Sequence, residues 1–181
     1  PRLRAVVAPE ASPRDTAEFR ERFGVAVLSG YGSSEGGIAL TPAPAKPGSL
    51  GNAPAGADIA VVSESGVECE TAQFDSDGKM TNAATAIGEL VRRDAAGGFE
   101  GYWNNPDAES HRLRGGWFWS GDLAYRDADG VFWFAGRSGD WLRVDSANFA
   151  VSPVERILGR FADAAAVAVV GVPDPLAGDQ I

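Results

Sequence analysis

The chain has 181 residues, enough for one large domain or one and a half small ones, and 44% of them are apolar, so a hydrophobic core is expected. A net charge of −9 excludes nucleic acid as a bulk electrostatic partner but leaves room for a nucleotide in a local cationic niche. One cysteine, Cys69, permits no internal disulfide, so the chain reads as cytoplasmic, and no apolar run approaches the roughly 20 residues needed to span a bilayer.

Residues 3–8 (LRAVVA) read as a short buried strand, broken by Pro9, Ser12 and Pro13. Residues 15–23 (DTAEFRERF) place Ala17, Phe19 and Phe23 on a loose helical face, and Gly24 can close that helix. Residues 25–28 are a second β-rich run. Strand, helix and strand in this order predict a piece of parallel α/β sheet. Directly after the second strand comes Ser29-Gly30-Tyr31-Gly32-Ser33-Ser34-Glu35-Gly36-Gly37. Ligands of open α/β sheets bind beyond the carboxyl ends of strands, where this loop lies. Its tyrosine, hydroxyls and carboxylate suit an aromatic base, a phosphate and a metal ion; the plain alternative is a Gly/Ser turn with an exposed tyrosine.

Residues 41–56 read as a Pro/Gly/Ala-rich surface loop, 57–62 (ADIAVV) as a strand, 64–80 as turns and 87–92 (IGELVR) as a strand. A short helix is expected over 107–113. Residues 117–123 alternate large apolar with small or polar residues, Asp127-Ala128-Asp129-Gly130 is a turn signal, and 131–135 is again β-rich. The resulting hairpin brings its ends together, so Asp122 and Arg137 are predicted neighbours. They are either a plain ion pair or a pair that holds the hydroxyls of a sugar. The tryptophans of this hairpin are read as core and boundary packing. Beyond it, 141–144 is a strand, Ser152-Pro153-Val154-Glu155 a helix start with Ser152 as the cap, 164–172 (AAAVAVVGV) a continuous buried strand and Pro173-Asp174-Pro175 a turn. The abrupt start at Pro1 and stop at Ile181 are expected of a piece of a longer protein.

Several familiar motifs fail. A calcium loop with Gly130 at its sixth position puts Tyr125 first and Gly136 twelfth, neither a usable side-chain ligand. Gly30-Tyr31-Gly32 meets Glu35 where a dinucleotide fingerprint needs its third glycine. Gly32-Ser33-Ser34-Glu35-Gly36 matches the nucleophile elbow of serine hydrolases, but prolines at 42, 44 and 47 follow where that elbow needs a helix. The one histidine, His111, sits in a polar stretch and reads as a surface residue.

In order and spacing, Tyr31-Gly32-Ser33-Ser34-Glu35, Gly88-Glu89-Leu90, Gly101-Tyr102, Gly116-Trp117-Phe118-Trp119-Ser120-Gly121-Asp122-Leu123, Asp129-Gly130 and Gly136-Arg137-Ser138-Gly139-Asp140 together resemble the adenylate-forming (AMP-binding) superfamily. Tyr31-Gly32-Ser33-Ser34-Glu35-Gly36 and Asn148-Phe149-Ala150 are most similar to fatty-acyl-CoA ligases of the very-long-chain, fatty-acid-transport type. The resemblance implies α/β plus β architecture: 1–137 as the end of the large AMP-binding domain (an α/β piece at 1–45 and a small distorted antiparallel β-barrel at 46–137), and 138–181 as hinge and start of an α+β lid. It implies ATP, AMP, Mg²⁺ and CoA as cofactors and a fatty acid as substrate, with peripheral membrane association of the longer protein left open. By the same resemblance, Tyr31, beside Gly32, stacks on adenine, and Ser34 touches the α-phosphate. Glu35 binds Mg²⁺, Asp122 and Arg137 hold the ribose, and Gly36, Gly37 and Ile38 lie near the carboxylate substrate. Asp140 is the hinge, and 143–148 form a loop toward the CoA tunnel. The departure is Asp145-Ser146-Ala147-Asn148, where many relatives carry Lys-Gly-Glu-Asn, which bears on CoA handling. The family's phosphate loop and catalytic lysine are not in these residues, so the segment alone is expected to be inactive. The rival readings are a fatty-acyl-AMP ligase and a non-catalytic β-rich module.

Overall fold

A computed structural model describes residues 3–9, 11, 13–28, 30–94, 99–138, 141–144, 147–159, 161, 166–174 and 178–180. Strands β1 (Ala5–Val7) and β2 (Ala26–Leu28) pair in parallel, Ala5 against Ala26, with helix α1 (Pro13–Phe23) between them. Gly24 ends α1 as the sequence predicts. It adopts φ +61°, a left-handed conformation that side chains resist, and donates its N–H to the Arg20 carbonyl. The expectation of a buried first strand is corrected: Ala5 and Val7 are exposed, Val7 by 73%. A parallel strand is buried only when layers cover both its faces, and among the described residues one helix packs on this two-stranded sheet.

The centre is an antiparallel sheet of five strands. These are β3 (Ile59–Val62), β4 (Gly88–Arg92), β5 (Leu113–Arg114), β6 (Trp117–Arg126) and β7 (Phe132–Arg137), with the short helices α2 (Ala83–Ala86) and α3 (Pro106–Arg112) on its connections. Their order is β3-β4-β6-β5, with β7 also on β6. Alternation along the strands feeds two apolar layers. Ile59, Val61, Leu90, Phe118, Ala124 and Phe132 pack with Ile38 and Leu40 on one side. Ala60, Val62, Val91 and Trp119 pack with Trp117 on the other. Both layers contain fully buried side chains, Phe118 and Val62 among them, so this sheet is the core of the described chain. Trp117 and Trp119 stack with ring centroids 6.2 Å apart, which confirms these two as packing residues. Trp103, outside the hairpin, is 98% exposed. Asn105 caps α3, its Oδ1 accepting from the Ala108 N–H at 3.2 Å, with Pro106 at the first helical position.

The turn between β6 and β7 shows why its calcium-like appearance misleads. Lys46 supplies the cation, with Nζ 2.5 Å from Asp127 Oδ2 and 2.6 Å from Asp129 Oδ2. Asp127 also accepts from Trp133 Nε1 at 2.8 Å and from the N–H groups of Asp129 and Val131 at 3.0 Å. Burial pushes its carboxyl up, but these donors outweigh it and hold the group below the usual carboxylate range. A depressed folded-state pKa contributes stability above the ordinary Asp value of 3.8 and loses it as pH falls below that value. Asp127→Ala is therefore expected to cost about 1–3 kcal/mol at neutral pH, from the donors left without an acceptor. The difference from wild type should shrink as melting is repeated at falling pH in the acid range.

Strands β8 (Trp141–Val144), β9 (Ala147–Ala150), β10 (Val172–Asp174) and β11 (Gly178–Gln180) form a second antiparallel sheet, ordered β10-β11-β8-β9, and helix α4 (Val151–Leu158) follows β9 and lies against β7. Helix α4 begins one residue before the predicted Ser152 cap. The long buried strand expected over 164–172 is corrected. Residues 166–171 carry no strand, and Val170 and Val172 are exposed, whereas Val169 packs on Val151 of α4. A small cluster of Val169 with Val151 and Val154 replaces a two-sided burial. The turn expected at Pro173-Asp174-Pro175 is instead entered by β10, which pairs Pro173 with Asp179. Among the described residues no helix is long and apolar enough to cross a membrane.

Candidate active site

Tyr31 to Leu40 is a small hairpin rather than an open loop. Its arms are joined by Leu40 N–H to Tyr31 O and Ser33 N–H to Ile38 O, both 2.8 Å, and by a bridge between Gly32 and Ala39. The Gly36 N–H donates to the Ser33 carbonyl, closing a turn that carries Ser34 and Glu35 at the tip. Ile38 and Leu40 anchor the returning arm in the core. The following residues tie the hairpin to the sheet, because Thr41 bridges Asn52 and Gly51 bridges Phe132 of β7.

The geometry brings this hairpin against the strand that carries Asp122. Tyr31 Oη donates to Asp122 Oδ2 at 2.5 Å across 91 residues of sequence. Burial first, then the Asp122 carboxylate, push the Tyr31 phenol well above its ordinary range, so it remains a protonated donor. Asp122 stands opposite Arg137 in the β6–β7 register, and Arg137 Nε lies 3.4 Å from Asp122 Oδ1. The pairing predicted from the hairpin is present. Arg137 is more than two-thirds exposed and Asp122 is mostly covered, so the acid is fixed and the arginine is free to turn.

The strand around Asp122 is not regular. Glu89 faces Leu123 and Val91 faces Trp119, so four steps along β6 match two along β4. Residues 120–122 form a bulge, and side chains satisfy its displaced backbone groups. Ser120 Oγ donates to the Leu90 carbonyl at 2.7 Å and accepts from the Asp122 N–H at 3.1 Å. A Glu89 carboxylate oxygen accepts from the Gly121 N–H at 2.8 Å. The bulge re-aims Asp122 toward Tyr31, a frequent use of bulges beside sites.

Glu35 is the second acid. Oε2 accepts from Ser34 Oγ at 2.9 Å, Oε1 accepts from Tyr102 Oη at 2.8 Å, and Arg112 Nη2 lies 3.5 Å from Oε1. Burial raises its carboxyl, but bonds from Tyr102, a backbone N–H and Ser34, with the charge of Arg112, outweigh burial and hold it below the usual range. Ser34, Glu35, Phe99, Glu100, Gly101 and Tyr102 line an open groove. The site is thus two anchored carboxylates, one paired with a phenol and an exposed arginine, the other at the rim of a groove.

Two curated relatives match nearly the whole chain. Steroid-22-oyl-CoA synthetase from Rhodococcus jostii is 48% identical over 174 residues, 95% of this chain and 31% of its own length. The medium/long-chain-fatty-acid–CoA ligase FadD17 from Mycobacterium tuberculosis is 47% identical over 180 residues, 99% of this chain and 33% of its own. The chain belongs to the adenylate-forming superfamily. It spans about a third of the length of these acyl-CoA ligases. No protein-family model matches it. Among solved structures, ATP-bound MatB from Rhodopseudomonas palustris superposes with a TM-score of 0.75 at 26% identity, over 98% of this chain and 34% of that one.

Placed in this adenylate-forming fold, the residues singled out from the sequence fall into groups. Tyr31, Gly32, Asp122 and Arg137 come together, and Ser34 and Glu35 share the hairpin tip beside them. Gly36 closes the tip. Gly37 lies on the Phe118 ring, and the Ile38 side chain is a core residue, 1% exposed, so neither presents a side chain to the groove. Asp140 and residues 145–146 lie outside the described residues. The nucleophile-elbow reading loses its geometry, because the strand runs into a hairpin, Ser34 is bonded to Glu35, and His111 is exposed on α3. Cys69 is half-buried against the core, and burial pushes its thiol up, as expected of an inert cysteine.

Four participants carry no role in the sequence reading. Tyr102 and Glu89 lie inside matched motifs, Gly-Tyr and Gly-Glu-Leu, without an evident task, and Ser120 is a small residue before a glycine. Arg112 lies in none of the motifs; its one signal is a basic residue in the last turn of a predicted helix. The donor set at Glu35 suits a hard cation shared with a phosphate. Its carboxylate is anionic, its oxygens accept from Ser34 and Tyr102, and among the described residues no three His, Cys, Asp or Glu side chains gather into an all-protein cage. Mg²⁺ is commonly bound in that way, by one or two carboxylates together with substrate phosphates.

Proposed function

We propose that this chain is the nucleotide-holding middle of an ATP-dependent fatty-acid–CoA ligase. In this reading 1–45 ends the α/β part of the large domain, 46–137 is its small β-barrel, and 138–181 begins a lid that turns about Asp140. The observation that carries the reading is the joining of Tyr31 and Asp122 across 91 residues, beside an acid-tipped hairpin. Asp122 accepts from the ribose hydroxyls and Arg137 donates to them, while the ring of Tyr31 stacks on the adenine. Ser34 contacts the α-phosphate, and Glu35 holds Mg²⁺. When bound, that cation neutralises phosphate charge as the reaction proceeds.

The acyl carboxylate oxygen attacks the α-phosphorus. A new oxygen–phosphorus bond forms and the bond to pyrophosphate breaks, leaving an acyl-adenylate. The CoA sulfur then attacks the acyl carbonyl, the thioester forms and AMP leaves. The protein's part in both steps is positioning and charge stabilisation. Relatives named for medium- and long-chain fatty acids and for a steroid acid support a long apolar carboxylate as substrate, rather than the very-long-chain type specifically.

The test uses a full-length protein carrying this segment. Fatty-acid-dependent exchange of pyrophosphate into ATP is expected, followed by CoA-dependent release of AMP. Exchange with no AMP release on adding CoA would favour a fatty-acyl-AMP ligase, which passes the acyl group to another acceptor, as the Asp145-Ser146-Ala147-Asn148 departure allows. Exchange with no acid of any chain length would leave the non-catalytic module.

A further inference from the structure

Arg112, the last residue of α3, touches both halves of the site. Its Nη2 lies 3.5 Å from Glu35 Oε1, its Nε donates to Tyr102 Oη at 3.3 Å, and its Nη1 donates to the Trp119 carbonyl at 3.4 Å. Tyr102 Oη in turn donates to the same Glu35 oxygen, so arginine, phenol and carboxylate form a closed triangle. On its other side the guanidinium lies against Gly121, where a Cβ would stand 2.2 Å from Nη1. Gly121, at φ +76°, is the middle of the bulge that aims Asp122. The glycine is required twice, by its left-handed backbone and by the space the arginine occupies.

We propose that Arg112 is a positioning residue that fixes the Glu35 carboxylate relative to the strand bearing Asp122, so that one nucleotide reaches both acids at once. The proposal rests on the reading of Glu35 as the metal-side acid and Asp122 as the ribose acid. A planar guanidinium with donors on three sides does this; an ammonium is a single point charge. Glu35 sits on a hairpin tip whose own hydrogen bonds fix its backbone and leave its side chain several rotamers. The triangle with Arg112 and Tyr102 selects one of them. Without it the metal side loses order while the ribose side, held by Ser120, Tyr31 and Glu89, does not.

The experiment is calorimetric and uses full-length protein without acyl substrate. Arg112→Met keeps the stem and removes the donors. The expected result is a Kd for ATP in the presence of Mg²⁺ at least tenfold weaker than wild type, with the Kd for adenosine, measured by competition, within twofold of wild type. Arg112→Lys is expected to recover little of the loss. Asp122→Ala is the control for the underlying reading and should lose adenosine binding. If Asp122→Ala leaves adenosine binding intact, that reading fails. If Asp122→Ala behaves as expected while Arg112→Met binds Mg²⁺-ATP like wild type, the proposal fails. An equal loss of adenosine and Mg²⁺-ATP in Arg112→Met marks a merely structural role and also overturns it. Should Arg112→Met not fold, Tyr102→Phe opens the same triangle and decides: selective weakening of Mg²⁺-ATP supports the proposal, and unchanged binding overturns it.

Discussion

Asp122→Ala, in a full-length protein carrying this segment, is expected to weaken ATP binding by about 10- to 150-fold, the range set by roughly 1.5–3 kcal/mol for hydrogen bonds to a charged group. The size follows from how completely the acid is held. The Tyr31 phenol occupies Oδ2, Arg137 stands at Oδ1, and Ser120 fixes the backbone N–H. Nothing about the carboxylate has to be ordered when ligand arrives, so the ligand gains most of the interaction energy. Removal also leaves the half-buried Tyr31 hydroxyl without its acceptor, which lowers the stability of the protein itself. Arg137→Ala should cost less, because a residue more than two-thirds exposed pairs weakly in water. Titration of ATP into each variant measures both, and an Asp122→Ala variant with wild-type affinity would remove the acid from the site.

Gly37→Ala is expected to strain the scaffold at the site itself, costing about 1–3 kcal/mol, as overpacking of a filled core does. A Cβ at Gly37 would meet three atoms of the Phe118 ring at 2.4–2.5 Å, closer than carbon atoms approach. Phe118 has no room to retreat. It is fully buried, with Phe99 at 5.4 Å between centroids and Leu90 and Ile38 around it. The strain must move the hairpin, and Glu35 lies two residues from the contact. A lowered melting temperature with weakened Mg²⁺-dependent ATP binding is the predicted pair of results. An unchanged melting temperature would show that the hairpin does not rest on Phe118 as described.

The parts of this molecule that were legible in the sequence are those governed by local pattern. The hairpin of β6 and β7 follows from alternation and an Asp-Gly turn, and it places Asp122 opposite Arg137 as the register requires. Helix α1 follows from apolar spacing closed by Gly24, and a short helix is expected where α3 lies. What escaped is long-range. The meeting of Tyr31 with Asp122 depends on how the hairpin at 31–40 is tied to β7 through 41, 51 and 52, and no local pattern encodes that. The bulge at 120–122 was hidden because Ser-Gly-Asp continues the strand's apparent alternation, and only its partners Glu89 and Leu90 reveal the extra residues. Lys46, 81 residues from Asp127, turned a seeming metal loop into an ion pair. The buried strand read into 164–172 shows the opposite error, an apolar run taken as proof of a covering layer, whereas the described residues bury Val169 and expose Val170 and Val172.

A structure of the full-length protein with ATP and Mg²⁺ decides whether this is a nucleotide site. Ribose hydroxyls are expected within hydrogen-bond distance of the Asp122 carboxylate, adenine against the Tyr31 ring and the metal on Glu35. A nucleotide bound with its sugar away from Asp122, and Asp122 still held by Tyr31 and Arg137 alone, would contradict that reading.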